Sequence, residues 1–393
     1  MDAEVTLVGA GTVGSSLACS LAKQGIKVIL LDRDSPLDLA KTSRLEGRTV
    51  ALNLSSIDLF DELGIWSELK KTGTPFNRMF VWDSKGSSPL EFLAQEIERE
   101  ELGYVVSNNL ILEYLKKIIE DSNNISLKQE TELSEVKVND KEVVISCSNG
   151  DKITSKLLIG ADGLNSTLRK IARIKTRTWS YNQKGFVAVL KTEKPHDHTA
   201  WQVFTPTGPI ALLPFDSFEG ANISLVWSAE LNYSDKLSNL SKKGFIKELE
   251  EKTELILGKI ELKTDISSFP LNQLHSKNYV SERVALVGDA AHSFHPLAGQ
   301  GLNLGLSDVT SLASKLIKAR RSGVDIGSDK VLKDYERSRK IPNLTMATMM
   351  ELFKQGFETS DPWIKLARNL AFKTASESQI LKKMLIKEAA GIT

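Results

Sequence analysis

Three glycines near the start of the chain, Gly9, Gly11 and Gly14, have the spacing of a loop that holds phosphate groups. A strand pattern precedes Gly9 and a helical pattern follows Gly14. The loop therefore opens a helix, where unpaired N–H groups attract anions. Asp32 ends the next strand, 18 residues after Gly14, where a carboxylate can accept hydrogen bonds from ribose hydroxyls. The pattern predicts a bound dinucleotide, either NAD or FAD; the alternative is a glycine turn that binds nothing.

A second candidate acid is Asp289, which follows a strand pattern at 283–288. Open α/β sheets bind ligands at the carboxyl ends of their strands, and a carboxylate there can accept hydrogen bonds from polyol hydroxyls. The alternative is that Asp289 caps the next helix. The residues that open that helix are Gly299, Gln300, Gly301, Leu302 and Asn303. Their free N–H groups and the helix dipole favour an anionic ligand, although a glycine-rich helix start without a ligand is the alternative.

Two histidines in the same stretch, His292 and His295, could be considered as metal ligands. No Cys or carboxylate nearby completes a tetrahedral set, so we predict no metal site. We expect His292 to brace the loop by hydrogen bonding and His295 with Pro296 to shape a turn.

The elements that must position these residues alternate between strand and helix. Patterns at 4–9, 15–24 and 27–32 predict a βαβ unit, and Asn139 and Asp140 lie at the turn of a predicted hairpin. A helical pattern covers 110–121, and a long helix is expected from about 301 to 319. The fold class is therefore α/β, with a Rossmann-like nucleotide-binding domain.

Strand-rich segments interrupt this alternation and indicate an inserted antiparallel β-sheet domain. We predict a discontinuous nucleotide-binding domain at 1–72, 100–173 and 281–330. The inserted substrate domain is expected at 73–99 and 174–280, and a C-terminal helical region at 331–393.

Three segments in this order resemble the flavin-dependent aromatic hydroxylases of the single-component, para-hydroxybenzoate-hydroxylase-like type. They are 9–14, 160–169 (GADGLNSTLR) and 287–303 (VGDAAHSFHPLAGQGLN). The string HPLAGQGLNLG at 295–305, followed by Asp308, is similar to the ubiquinone-biosynthesis branch of that family. The resemblance covers about residues 4–345.

The resemblance implies an FAD cofactor and a set of residues that bind it. These are Gly9, Gly11, Gly14, Asp32, Arg48, Asp162, Asp289, Gly299, Gln300, Gly301, Leu302 and Asn303. Asp289 would contact the ribityl chain, Asp162 would lie near the pyrophosphate and the approach of the nicotinamide, and Arg48 would lie beside the cofactor. Pro296, Gln300 and Gly301 are the expected catalytic residues.

The same resemblance implies the reaction. NAD(P)H reduces FAD, O₂ adds to the flavin to give a C4a-hydroperoxide in a water-poor pocket, and oxygen passes to the ring of a polyprenyl phenol in ubiquinone biosynthesis. We expect the pocket to be apolar, with Pro296 at its edge and the strands at 201–204 and 210–214 in its wall.

Two positions depart from the family pattern. Asp32 stands where relatives mostly have Glu, and Asn109 stands near the position of a frequent Arg. Asn109 leaves a flavin or substrate contact in doubt. The alternatives are therefore a catabolic phenol hydroxylase, an isoprenoid reductase of the same fold, or a flavin-bearing assembly subunit without catalysis.

Composition excludes other classes. With 51 basic and 50 acidic residues, the chain lacks the positive field of a nucleic-acid-binding protein. Its two cysteines suit a reducing compartment, and no signal peptide or bilayer-spanning stretch is evident, so we expect a cytoplasmic protein. The segment 363–393 carries six Lys or Arg and two Glu. It would either pack on its own domain or touch the inner membrane or a biosynthetic complex. A homo-oligomer is also compatible with the sequence.

Overall fold

The structure, a computed structural model, describes residues 1–35, 48–84, 89–216, 220, 222–293, 300–358 and 378–392. The α-helices in these residues are α1 (Thr12–Ala22), α2 (Leu54–Leu63), α3 (Trp66–Thr72), α4 (Asn108–Asp121), α5 (Thr167–Ile171), α6 (Leu231–Ser238), α7 (Lys242–Lys252), α8 (Gln300–Arg321), α9 (Asp329–Glu358) and α10 (Gln379–Ala390). The first eleven strands are β1 (Ala3–Val8), β2 (Val28–Leu31), β3 (Thr49–Asn53), β4 (Thr74–Phe76), β5 (Arg78–Asp83), β6 (Leu90–Leu93), β7 (Gly103–Ser107), β8 (Ile125–Lys128), β9 (Leu133–Val138), β10 (Val143–Cys147) and β11 (Lys152–Gly160). The others are β12 (Thr176–Thr192), β13 (Thr199–Thr205), β14 (Gly208–Pro214), β15 (Ile223–Glu230), β16 (Ile260–Leu262), β17 (Ser267–Ser276), β18 (Val280–Ser281), β19 (Val284–Leu286) and β20 (His292–Ser293).

A parallel sheet in the order β8-β2-β1-β11-β19 positions the nucleotide-binding loop. Its central strand β1 is buried on both faces, with Val5 and Leu7 on one face and Thr6 on the other, and α1, α4 and α8 belong to the same hydrophobic core. The predicted βαβ unit is present, and the predicted hairpin is formed by β9 and β10. Strand β19 joins this sheet although it follows the inserted segment 174–280 in the chain. The sheet is therefore assembled from distant parts of the chain.

A small sheet in the order β3-β7-β4 connects the two halves of the molecule. In it β4 pairs antiparallel with β7, and Thr74 lies opposite Val105. Strand β4, which begins just after the expected start of the substrate domain at residue 73, thus pairs with a strand from the segment 100–173.

A large sheet in the order β20-β17-β12-β15-β14-β13-β5-β6, with β16 added beside β12, forms the inserted part. The inserted sheet is antiparallel as predicted, except that β13 and β5 pair in parallel, with Trp201 opposite Phe80. Strand β5 comes from the early segment 73–99 of the inserted domain, whereas β13 comes from 174–280. Its direction is therefore set by a different connection. One face of the sheet is covered by α6 and α7, where Trp227, Phe245 and Leu249 are fully buried.

The opposite face of the large sheet packs on the nucleotide-binding half and on the end of the chain. Leu213 of β14 shares a buried cluster with Val105 of β7 and with Ile386 and Ala390 of α10. A 2.6 Å ion pair between Lys382 and Glu96 also holds α10 in place. The tail therefore packs on its own domain over α10, whereas residues 363–377 and 393 of the segment 363–393 lie outside the described residues.

No helix in the part of the chain that the structure describes is long and apolar enough to cross a membrane.

Candidate active site

The glycine loop is shaped by close backbone approach at two positions. Gly9 has φ +102°, and a Cβ on Gly14 would lie 1.9 Å from the Gly9 carbonyl oxygen, so neither position accepts a side chain. Gly11 differs, because a Cβ there would meet no protein atom within 4 Å, although Gly11 directly precedes α1. The loop thus leaves open space at the helix N-terminus, where an anion is favoured.

Asp32 braces this loop from the end of β2. Its Oδ2 accepts a 2.5 Å hydrogen bond from the backbone N–H of Ala10, and its Oδ1 accepts one of 2.9 Å from Asp34. The carboxylate is therefore fixed beside the loop, and each of its oxygens retains acceptor capacity for a ribose hydroxyl.

Asp162, in the second motif, lies against the glycine loop. A Cβ on Gly9 would approach the Asp162 Cα to 2.9 Å. Its Oδ2 accepts hydrogen bonds from the N–H groups of Thr167 and Leu168 at 2.7 and 3.2 Å, while Oδ1 is buried without a hydrogen-bond partner among the described residues. The residue caps α5 with one oxygen and leaves the other available.

Arg169, at the end of the second motif, connects it to the third. Its buried guanidinium donates to the carbonyl oxygens of Ala290 at 2.8 Å and Leu164 at 2.6 Å. We predicted no contact for Arg169 from the sequence. Its only signal was its place in the motif, since nothing local indicates a contact 121 residues away.

Asp289 lies in the 3₁₀ turn Gly288–Ala290, directly after the parallel strand β19. No hydrogen-bond partner for its carboxylate is found among the described residues. Its side chain reaches solvent, yet the surrounding protein raises the pKa of this carboxyl by burial; Arg48 and His292 act in the opposite direction. Arg48 is thus near enough to Asp289 to act on its carboxylate electrostatically.

His292 braces this loop, as predicted from the sequence. Its Nε2 lies 2.6 Å from the Oδ2 of Asp308, which is fully buried in α8. Burial opposes the charge of Asp308, but His292 and Arg339 hold the pKa of this carboxyl below its ordinary value. No group of three potential metal-ligating side chains occurs within the described ranges.

The third motif ends in α8, which begins at Gln300. A Cβ on Gly301 would meet no atom of the described residues within 4 Å. Asn303 is different, because its side chain is used by the protein. Its Oδ1 accepts from Asn53 N–H and Ser56 Oγ, and its Nδ2 donates to the Ala51 carbonyl oxygen at 2.8 Å.

Only the backbone of Asn303 is therefore available to a ligand, and the Leu302 side chain packs against the core. Pro296 and Gly299, which were predicted at the site, lie outside the described residues, as does the side chain of Gln300.

Only alternate residues of the strands predicted for the pocket wall face the nucleotide-binding half, because successive side chains of a strand point to opposite faces. Trp201 and Ile210 pack toward α6 and α7, away from the nucleotide-binding half. Leu213 and Ala211 belong to the opposite face. Gln202, between Trp201 and Val203, points to that same side and is buried.

The residues present fit a flavin dinucleotide. The two glycines with open Cβ directions begin the two helices α1 and α8, and three carboxylates with spare acceptor capacity, from Asp32, Asp162 and Asp289, lie along the same edge of the parallel sheet. Such a sheet with an inserted substrate domain defines a dinucleotide-binding flavoprotein oxidoreductase.

The pattern of the FAD binding domain family matches residues 2–347. The chain belongs to this family and is an FAD-dependent aromatic monooxygenase. It is 33% identical over 391 residues to the 3-demethoxyubiquinol 3-hydroxylase of Escherichia coli, covering 99% of this chain and 98% of that one. It is also 33% identical to the mitochondrial ubiquinone biosynthesis monooxygenase of Caenorhabditis elegans, covering 98% and 94% of the two chains.

Among solved structures, p-nitrophenol 4-monooxygenase of Pseudomonas putida shares the fold, with a TM-score of 0.80 and 19% identity over 99% of this chain and 98% of that one.

Proposed function

We propose that this chain hydroxylates the ring of a polyprenyl phenol in ubiquinone biosynthesis, with a reduced nicotinamide and O₂ as co-substrates. The observation that carries the proposal is 33% identity over nearly the whole of both chains to a 3-demethoxyubiquinol 3-hydroxylase. FAD, held by the glycine loop, Asp32, Arg48, Asp162, Asp289 and the first turn of α8, would supply the oxygen-activating chemistry.

The substrate-facing side of the large sheet supports a neutral ring. Gln202 projects from it and is buried, and its amide can form hydrogen bonds with a phenol or methoxy oxygen without requiring a charge. His275, on the same side, is uncharged at neutral pH because burial, with nearby His292, Lys340 and Arg177, lowers its pKa to about 4. A neutral substrate head group thus matches this wall.

One observation favours a second candidate, a hydroxylase of small aromatic acids. Arg177 lies directly opposite His275 in the β12–β17 pairing, and its exposed guanidinium could bind a carboxylate at the edge of the wall. The two candidates make opposite predictions for Arg177→Ala, which would abolish turnover of a benzoate but leave turnover of a prenylated phenol unchanged.

The reduced nicotinamide has a candidate groove. A cavity of about 490 Å³ lies beside the Asp162 loop, and its lining includes the cation Lys170 with Asn165, Thr176, Thr178 and Asn272. Arg169 also lines this cavity, and phosphate and ribose groups of a dinucleotide suit such a mixture of two positive charges and many hydrogen-bonding groups. Lys170→Ala should raise the KM for NAD(P)H with little change in FAD affinity, and an unchanged KM would reject this groove.

The test of the function is coupled turnover. Purified protein with FAD should oxidise NAD(P)H faster when a prenylated phenol is added, and oxygen-18 from O₂ should enter the product. If a tail-less carboxylated analogue is hydroxylated with tight coupling while the prenylated phenol only releases peroxide, the second candidate replaces the first.

We also propose that the end of the chain helps this cytoplasmic protein to reach a membrane-borne substrate. On α10, Ile380 and Met384 are 77% and 63% exposed, and Lys383 and Lys387 lie exposed on the same helix. An exposed apolar and basic helix face suits an anionic bilayer surface. Ile380→Asp with Met384→Asp should reduce flotation with anionic liposomes, and unchanged flotation would contradict the proposal.

A further inference from the structure

A buried group of polar side chains lies behind the loop that carries Asp289, on the side away from the proposed ligand. Its centre is Asp308 of α8, which is fully buried. Asp308 Oδ2 accepts a 3.0 Å hydrogen bond from the Gly288 N–H and faces His292 Nε2 at 2.6 Å. One carboxylate oxygen therefore contacts both ends of the loop, immediately before and three residues after Asp289.

The other oxygen of Asp308 is held by α9. Oδ1 accepts from Arg339 Nε at 2.7 Å and from Asn343 Nδ2 at 3.3 Å, and Arg339 also donates to the Asn343 side-chain oxygen at 2.9 Å. A buried carboxylate is costly unless it is paired and fully hydrogen-bonded, and these partners supply both conditions. The position of the carboxylate is thus over-determined by contacts from α9 and from the loop.

The loop between these contacts is tied to the protein through its backbone. Arg169 donates to the Ala290 carbonyl oxygen, and the Ser276 N–H donates to that of Ala291 at 2.9 Å. Asp289 is the residue of this turn whose carboxylate has no hydrogen-bond partner among the described residues. The contacts made by its neighbours therefore set where the Asp289 carboxylate points.

We propose that Asp308 is a positioning residue, which fixes the Gly288–His292 loop for the flavin half of FAD, while Arg339 and Asn343 hold its carboxylate in place. The inference rests on the proposed contact of Asp289 with that half of the cofactor. The ADP half is assigned to the glycine loop and Asp32, so the two halves can be probed separately.

The experiment compares the affinity of the full-length, FAD-depleted protein for FAD and for ADP. Asp308→Asn should weaken FAD binding about tenfold, as expected for losing charge-assisted hydrogen bonds, and leave ADP binding within about twofold. A merely structural role would weaken both ligands together, so equal losses would overturn the inference, as would no loss at all.

Because Asp308→Asn leaves Arg339 buried without its counter-ion, a second variant guards against misfolding. Asp308→Asn with Arg339→Gln makes the site neutral, and it should still weaken FAD selectively, since an amide oxygen binds the Gly288 and His292 donors less strongly than a carboxylate. Retention of parental FAD affinity in this double variant would also reject the proposal.

Two further variants complete the design. Asp325→Asn is the matched control, because it removes the carboxylate that pairs with buried Arg283, away from the flavin loop. The ratio of FAD to ADP affinity should not change in this variant. Asp289→Ala should lower the same ratio. If it does not, the placement of Asp289 fails. If it does while the Asp308 variants behave as the parent, only the positioning role of Asp308 fails.

Discussion

Arg169 donates a 2.8 Å hydrogen bond to the carbonyl oxygen of Ala290 and so joins two motifs that are 121 residues apart. With its second bond to the Leu164 carbonyl oxygen, the buried guanidinium holds the turn beside Asp162 against the turn that carries Asp289. The relative position of two proposed FAD contacts therefore depends on one side chain.

Replacing this side chain should loosen both turns. Arg169→Met keeps most of the buried length but leaves two carbonyl oxygens without their charged donor, and we expect a loss of about 2–4 kcal/mol in the free energy of unfolding. Urea denaturation measures this loss. Arg337→Met, at an exposed arginine that pairs with exposed Asp334, is the control and should change stability little. Equal stabilities of the two variants would contradict the role.

Asp289 should reduce the stability of the protein before FAD binds. Burial raises its pKa, so above the ordinary value of 3.8 the folded chain binds more of this proton than the unfolded chain does. The contribution of this group to stability is thus lost as pH rises through the raised pKa. Asp289→Asn should make the FAD-free protein more stable than the parent at pH 7, with a difference that shrinks toward pH 4.

The same substitution should weaken FAD binding, by about 1–3 kcal/mol, the scale of a hydrogen bond to a charged group. Denaturation curves across pH and FAD titrations measure the two effects. A variant that is less stable at pH 7 would show that the Asp289 carboxylate is satisfied by the protein.

Gly11 and Gly14 should respond differently to the same methyl group. Gly11→Ala meets no protein atom, so the fold should keep its stability while FAD and ADP affinity both fall. Gly14→Ala drives a Cβ into the Gly9 carbonyl oxygen and should destabilise the FAD-free protein itself. Melting temperatures and ligand titrations distinguish the two variants. Normal ADP affinity in Gly11→Ala would show that the phosphates do not bind at this loop.

Gly301 offers the corresponding test at the other end of the cofactor. Its Cβ direction is also free of protein atoms, so Gly301→Ala and Gly301→Val should fold like the parent. Because the added atoms would occupy the space toward the flavin ring, FAD affinity or turnover should fall in Gly301→Ala and fall further in Gly301→Val. ADP affinity should not fall in either variant. Normal turnover of Gly301→Val would show that the start of α8 does not lie beside the flavin ring.

His275 should make the protein sensitive to mild acid. Its pKa is lowered from 6.5 to about 4, so the unfolded chain takes up a proton in this interval and the folded chain does not. Stability is present above pH 6.5 and is lost as pH falls toward 4, by up to about 3 kcal/mol. His275→Gln should flatten this decline, whereas His198→Gln, at an exposed histidine, should not.

The local elements around the site were predictable because their signals are local. The strand before Gly9, the helix after it and the acid at position 32 all follow from short-range periodicity and glycine spacing, and α1 begins only three residues before its predicted start. The hairpin turn at Asn139 was equally predictable from the sequence. In the structure, the Asn139 side chain accepts hydrogen bonds from the N–H groups of Lys141 and Glu142.

The long-range contacts were not predictable, because no pattern within a strand or helix specifies its partner. Trp201 looked like a pocket residue from its neighbours, but the face to which it points is decided by the pairing of β13 with β5 and β14. In the same way, Asp308 belonged to a recognisable string, but its contacts with Arg339 and His292 depend on how α9 packs against α8.

The pairing of β11 with β19, in which Leu158 lies opposite Val284, has a consequence for folding during synthesis. When β11 leaves the ribosome, its partner strand β19 and all strands of the inserted sheet except β5 and β6 have not yet been translated, so one edge of the parallel sheet stays unpaired. Contacts this distant in sequence form slowly. We therefore expect nascent chains that stop before residue 284 to be retained by chaperones, and FAD to be acquired only after translation has passed α8.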